Sequence, residues 1–277
     1  MNDRDYVQGT RAKEYKPQHR ESEIVDISDE SLWEHSKQTF DREASDHQEQ
    51  ALDNLPDDTE LTIQSVLMLK KPKHRYRISF GAYALEVHED VMIKYRMIKG
   101  AVFTKSELED IVSADERQRA YADAIVYLSR KPRTAYEISF RLREKGWAEG
   151  TIQEVVERLG REGFVDDAAY AQEWASQRVR NRGKGKLWVR HELRQKGVSK
   201  PLIEEALDEV SEDEELSSAM QLARKKWQGT SGEPADKMRK TGAFLLRRGY
   251  SGAVVSKVVR ELSRKDGFSV TENWEEE

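Results

Sequence analysis

Few side chains in this 277-residue sequence are arranged to break or make bonds. The six histidines, at positions 19, 35, 47, 74, 88 and 191, include no pair at metal-ligand or triad-like spacing on one element. Zero cysteines remove thiolate ligands, thiol nucleophiles and disulfides together. Gly183-Lys184-Gly185-Lys186 has part of a phosphate loop, but its first glycine is missing and Leu187 stands where Ser or Thr is required. Asp166-Asp167 has the makings of an acid/base pair, yet it precedes an amphipathic run, where an N-cap is expected. The expectation is a chain with no catalytic residue, metal, cofactor or small-molecule substrate.

What the residues do suggest is binding. No acidic residue falls between Glu173 and Glu192, a stretch that holds Arg178, Arg180, Arg182, Lys184, Lys186 and Arg190, with Trp188 among them and Arg194 and Lys196 just beyond. A merely soluble helix tends to mix signs, so the missing carboxylates favour a surface for phosphate backbones or an acidic protein groove. Gly183 and Gly185 would let a partner approach the backbone closely. Arg224-Lys225-Lys226 and Lys237, Arg239, Lys240, Arg247 and Arg248 are candidates to extend that surface. The aromatics Trp147, Phe164, Tyr170, Trp174, Trp227, Phe244 and Tyr250 sit at helical spacings or beside turn glycines, and core packing is expected of them.

The elements that must carry these residues form an internal repeat. Three segments align without gaps, Ile138–Leu159, Val189–Val210 and Thr241–Leu262, at offsets of 51 and then 52 residues. Leu142, Leu193 and Leu245 match, as do Gly146, Gly197 and Gly249, each glycine following a Lys or Arg. A cation and then a glycine suit a helix C-terminus, where positive charge opposes the dipole and glycine takes the left-handed cap. Each unit is therefore helix, tight turn, helix, preceded by a further helix at about Glu116–Arg130, Asp167–Arg182 and Glu212–Trp227. Thr134 with Glu137 and Ser211 with Glu214 fit capping boxes, and Ser199 precedes a first-turn proline. The predicted fold is mainly α, with three tandem three-helix repeats (residues 104–164, 165–210 and 211–265) as an elongated, curved array.

Ahead of the repeats, residues 61–103 read as a small antiparallel β-hairpin region, with strands expected at Leu61–Leu69, His74–Phe80, Tyr83–His88 and Val91–Met97. Residues 1–60 read as a disordered acidic tail with one amphipathic turn at Ile24–Trp33, and 266–277 as a second acidic tail. The overall charge of −5 hides a net −10 in residues 1–60, +1 in 61–116, +9 in 117–265 and −5 in 266–277. The part expected to fold is thus basic, as a polyanion partner would require. No apolar run is long enough for a membrane span, and the first residues lack the layout of a secretory signal, so a cytoplasmic, monomeric protein is expected.

Several of these residues together resemble the RecX family, modulators of the RecA recombinase, in its longer Gram-positive type. They are Leu128-Ser129 with Arg130–Arg133 and Glu137, Leu142–Gly146, Gly163–Ala171, Gly185 and Glu192–Val198, with Asp166, Asp167, Tyr170 and Ala171 forming the most specific element. The resemblance covers about residues 61–264 and leaves the acidic tail outside. It implies tandem three-helix repeats in which Asp166, Asp167, Tyr170, Gly146, Gly197 and Gly249 are structural. It also implies an activity without catalysis, in which the chain binds along the groove of the RecA–single-stranded-DNA filament and limits its extension, ATPase and strand exchange. Direct contact with single-stranded DNA stays open, and a stand-alone, sequence-tolerant DNA-binding helical module is the rival reading.

Overall fold

The structure, a computed structural model, describes Pro56 and residues 60–266. The chain divides into two units, Met1–Asp46 and His47–Glu277, and every described residue belongs to the second. The turn expected at Ile24–Trp33 and nearly all of both acidic tails lie outside the described residues.

Five short strands come first: β1 (Glu60–Thr62), β2 (Ser65–Met68), β3 (Arg75–Ser79), β4 (Ala84–His88) and β5 (Val102–Thr104). The segment expected as one strand over Leu61–Leu69 is split, with β1 pairing β5 and β2 joining an antiparallel β2-β3-β4 sheet. Alternation sets the register, for Ile78 faces Leu85 and Tyr76 faces Val87, which puts Ile78, Leu85 and Val87 on the buried face. The strand expected at Val91–Met97 is instead a helix, α1 (Glu89–Lys94). Local capping overrides its β-favouring residues, because the His88 ring accepts the Asp90 N–H while Glu89 and Asp90 occupy the positive end of the dipole.

Helix α2 (Lys105–Leu128) begins eleven residues earlier than the Glu116 start expected from apolar spacing. A capping box between Thr104 and Glu107 sets that start. Its first half buries Leu108, Ile111 and Val112 against the sheet, and its second half gives Ala120 and Ala124 to the first repeat. One buried carboxylate fastens the strands to the helix. Asp115 accepts from Arg75 at 2.9 Å and from the His88 backbone N–H at 2.6 Å, while Arg75 also donates to the Glu86 carbonyl.

The first repeat continues with α3 (Ala135–Glu144) and α4 (Glu149–Arg161). The second comprises α5 (Asp167–Arg182), α6 (Lys186–Gln195) and α7 (Lys200–Asp208). The third comprises α8 (Glu212–Gln228), α9 (Pro234–Arg247) and α10 (Gly252–Lys265). The capping boxes at Thr134 and Ser211 form, whereas Ser199 starts α7 without a side-chain bond. Gly146, Gly197 and Gly249 have φ of 81°, 75° and 82°, the left-handed cap that lets each chain turn within two residues. Leu142, Leu193 and Leu245 are each 1% exposed or less, at the centre of three separate cores. Burying a leucine stabilises by roughly 1.5–3 kcal/mol, so each repeat has its own hydrophobic reason to fold.

Candidate functional site

The long basic stretch is less free of carboxylates than its sequence suggests. Arg178 pairs with Glu192 at 2.8 Å, Arg180 with Glu214 at 2.6 Å, Arg190 with Glu204 at 2.9 Å and Lys196 with Glu137 at 2.8 Å. Folding imports the missing acids from α3, α7 and α8, and from the residue that closes the stretch. The inference from absent acidic neighbours therefore fails for these four. Arg182, Lys184, Lys186 and Arg194 make no ion pair among the described residues. Arg182 and Arg194 are exposed, Lys184 and Lys186 half-buried. Arg194 lines a small recess with Val198, Lys200 and Ile203.

Aromatic rings are interleaved with the cations as the sequence suggested, but only some of them are core. Tyr250 is fully buried and Trp227 4% exposed, whereas Phe164 is 56% exposed, contrary to the core role expected of it. Phe164 lies just past the φ-positive Gly163 in a turn that buries Val165 instead. Tyr170 and Trp174 stack at 5.6 Å on α5, with the Lys196 ammonium 4.7 Å and the Arg178 guanidinium 3.9 Å from the Trp174 ring. Glu192 ties them together by accepting from the Trp174 indole and from Arg178. Burial alone would raise the Glu192 carboxyl, but the bonds it receives from Trp188, Trp174 and Arg178 hold it below the usual carboxylate range.

Asp166 and Asp167 both cap helices, but different ones. Asp166 accepts the Ala169 N–H of its own α5, and Asp167 reaches across to the Ala135 N–H that begins α3. Tyr170 stands one turn into α5, beside Lys196.

These contacts recur where repeats meet. At the first seam the Lys196-Gly197 turn of repeat two sits on the start of α3. The Thr134 hydroxyl donates to the Lys196 carbonyl at 2.7 Å, and a Cβ on Gly197 would come within 2.2 Å of Tyr136 Cβ. At the second seam the Arg248-Gly249 turn of repeat three sits on the start of α6. Gly185 N–H donates to the Arg248 carbonyl at 2.9 Å, Leu187 N–H to the Gly249 carbonyl at 3.1 Å, and the Glu215 carboxylate accepts the Lys186 N–H. The Arg248 guanidinium in turn donates to the carbonyls of Arg182 and Gly183. Gly185 does permit the close backbone approach expected of it, but the approaching backbone is that of repeat three, since a Cβ there would stand 2.2 Å from the Gly249 carbonyl oxygen.

The ionisable groups at the two seams differ. Glu137 lies below the usual carboxylate range because the bonds from Lys196 and the Thr134 backbone outweigh its burial, and Lys196 is raised by Glu137 against its own burial. Lys184 is lowered, first by burial and then by Arg248. The alignment of Arg248 with Lys196 is legible from the repeat, but which of the two has a carboxylate beside it is not.

Profiles of the RecX family match three stretches of the chain, the first three-helix domain over residues 120–159, the second over 166–207 and the third over 212–259. A regulatory protein RecX of Geobacillus kaustophilus is 34% identical over 194 residues, covering 70% of each chain. One from Clostridium acetobutylicum is 30% identical and covers 73% of this chain and 97% of its own. The crystal structure of a regulatory protein RecX superposes with a TM-score of 0.63 at 26% identity, covering 72% of this chain and 98% of that one. RecX from Lactobacillus salivarius gives 0.51 at 25% identity over 55% of this chain. The repeats first legible as a spacing of leucines and glycines thus coincide with known domains, and the chain belongs to the RecX family of regulatory proteins.

Proposed function

We propose that the chain is a non-enzymatic regulator of a RecA-type recombinase in the cytoplasm. It binds the filament that the recombinase forms on single-stranded DNA and restrains filament extension, ATPase and strand exchange. Arg182, Lys184, Lys186 and Arg194 supply the docking charge, while Arg178, Arg180, Arg190 and Lys196 hold the repeats in shape through their internal carboxylates.

The observation that carries this reading is the set of cations left without an ion pair on α5, α6 and the turn between them, where Trp188 is also exposed, in a protein whose relatives are named as regulatory. Such charge draws a filament of alternating protein and phosphate through long-range attraction, and several repeats engaging together add weak contacts into useful affinity.

The test is recombinase ATPase on single-stranded DNA with substoichiometric protein. The unaltered chain should depress the rate, and a variant carrying Arg182→Glu, Lys184→Glu, Lys186→Glu and Arg194→Glu should depress it far less. No effect of the unaltered chain would overturn the regulatory reading. Tight binding to duplex DNA without any recombinase would instead support a stand-alone DNA-binding module.

A further inference from the structure

The two seams are built alike, and the difference between them points to a ligand. At the first, the residue before the N-cap of α3 is Arg133, the third residue of α3 is Glu137, and the C-cap of α6 is Lys196. The Glu137 carboxylate lies 2.8 Å from Lys196 and 3.7 Å from Arg133, so two cations share one internal anion. At the second seam the same three places are held by Lys184, Trp188 and Arg248. The two cations remain and an indole replaces the carboxylate.

What is left there is positive charge with too little to balance it. Lys184 has its ammonium 3.5 Å from the Trp188 ring centroid, and neither it nor Arg248 forms an ion pair among the described residues. Glu192 is the carboxylate whose charge Lys184 feels, but that group is already bound by Arg178 and by the indoles of Trp174 and Trp188. Glu215, on the neighbouring helix, is engaged by the Lys186 backbone N–H. Arg182, exposed and without an ion pair, lies two residues before Lys184. Trp188 is 39% exposed, so an incoming group could meet both cations and the indole from solvent.

We propose that this seam between the second and third repeats is a subsite for one nucleotide of single-stranded nucleic acid, its phosphate placed between Lys184 and Arg248 and its base against the exposed part of Trp188. The phosphate supplies the anion that Glu137 provides at the first seam. An unpaired base accounts for the aromatic as a carboxylate side chain of a protein partner would not, because every base offers a π-face and stacking tolerates any sequence. A guanidinium also offers several fixed donors to a phosphate. The inference rests on the reading that this face meets a filament on single-stranded DNA, and it adds that the DNA itself is touched.

The experiment uses the full chain without recombinase and follows the anisotropy of a fluorescein-labelled oligothymidylate across a salt series. The slope of log affinity against log salt measures phosphate contacts, at about 0.7 per contact for single strands. Trp188→Glu, which installs the carboxylate of the first seam, should weaken binding by about tenfold or more and flatten the slope by about 0.7. Lys184→Gln, which leaves the seam packing intact, should flatten it by the same amount. Trp188→Gln, whose amide can still donate to Glu192 as the indole does, should weaken binding by about tenfold with the slope unchanged, since stacking is lost and no charge is changed.

Parental affinity and slope in both Trp188→Glu and Lys184→Gln would overturn the proposal. So would parental binding to oligoglutamate tighter than to oligothymidylate and abolished by Trp188→Glu, an outcome that assigns the seam to an acidic peptide. Failure here with recombinase inhibition intact sinks only the subsite, whereas altered slopes without any inhibition by the parent sink only the regulatory reading.

Discussion

At the scale of single residues, the adjacent carboxylates show how structure divides labour that a sequence cannot separate. Asp166 and Asp167 both suit an N-cap, and the spacing gives no hint that the second serves a helix 32 residues earlier. Burial, with Asp166 and Glu137 nearby, raises the Asp167 carboxyl above its ordinary value although the Ala135 N–H pulls it down. An acid raised on folding binds its proton more tightly in the native state, so its charge costs stability once the pH rises above the unfolded value and is harmless below it. Asp167→Asn keeps an acceptor for Ala135 without the charge. That variant should be at least as stable as the parent at pH 7 and lose its relative gain near pH 3. Asp167→Ala should cost about 1 kcal/mol in urea unfolding, since the cap itself is gone. A stability loss at pH 7 equal for the two variants would contradict this, because it would mean that the charged carboxylate stabilises the cap and a neutral acceptor does not replace it.

Asp115 offers a second check at the same scale, and nothing in the sequence marks it. It sits in the middle of α2 and is 5% exposed, holding Arg75 and the backbone of His88. Asp115→Ala leaves the half-buried Arg75 guanidinium without its counter-charge, with only the Glu86 carbonyl to accept from it, and should cost about 3 kcal/mol or more. A loss below about 1 kcal/mol would mean that solvent reaches Arg75 freely.

At the scale of elements, legibility followed the strength of local signals. The helices that begin at Thr134 and Ser211 and those that end at Gly146, Gly197 and Gly249 are legible to within a few residues, because those residues act through their own backbone. The predictions that failed involve competition. Val91 to Lys94 have strand-like side chains but follow His88, Glu89 and Asp90, which start a helix. The start of α2 falls eleven residues before the expected Glu116 because its first half belongs to another core, its apolar face covering a sheet that lies earlier in the chain. The turn glycines separate the two kinds of constraint experimentally. Gly163 has φ 76° with open space around a would-be Cβ, so Gly163→Ala should cost about 1 kcal/mol of backbone strain. Gly197 has φ 75° and would also clash with Tyr136, so Gly197→Ala should cost about 3 kcal/mol or more. Equal losses at the two sites would mean that the first seam yields without resistance.

At the scale of the whole molecule, the cores of the three repeats are joined by seams, and stability should be distributed accordingly. Gly185 has φ −76°, which alanine adopts without strain, so Gly185→Ala reports on the second seam alone. Amides of α9 and α10 should then exchange faster with solvent while those of α3 and α4 keep their protection. Uniform loss across all three repeats would contradict a modular array. The candidate surface was legible as a run of basic residues, but its division into four paired and four available cations was not. That division depends on Glu137, Glu204 and Glu214, which become neighbours only when the helices pack.

Binding to preassembled filaments tests the central claim most directly. The fraction of the chain that sediments with recombinase filaments on single-stranded DNA would be measured for the parent and two variants at equal salt. Arg182→Glu, Lys184→Glu, Lys186→Glu and Arg194→Glu together should abolish co-sedimentation while leaving thermal unfolding near that of the parent. Arg180→Gln, which gives up a cation already matched to Glu214, should bind almost as the parent does. Full co-sedimentation of the quadruple variant would contradict the account, because a filament that ignores those four cations docks on some other face.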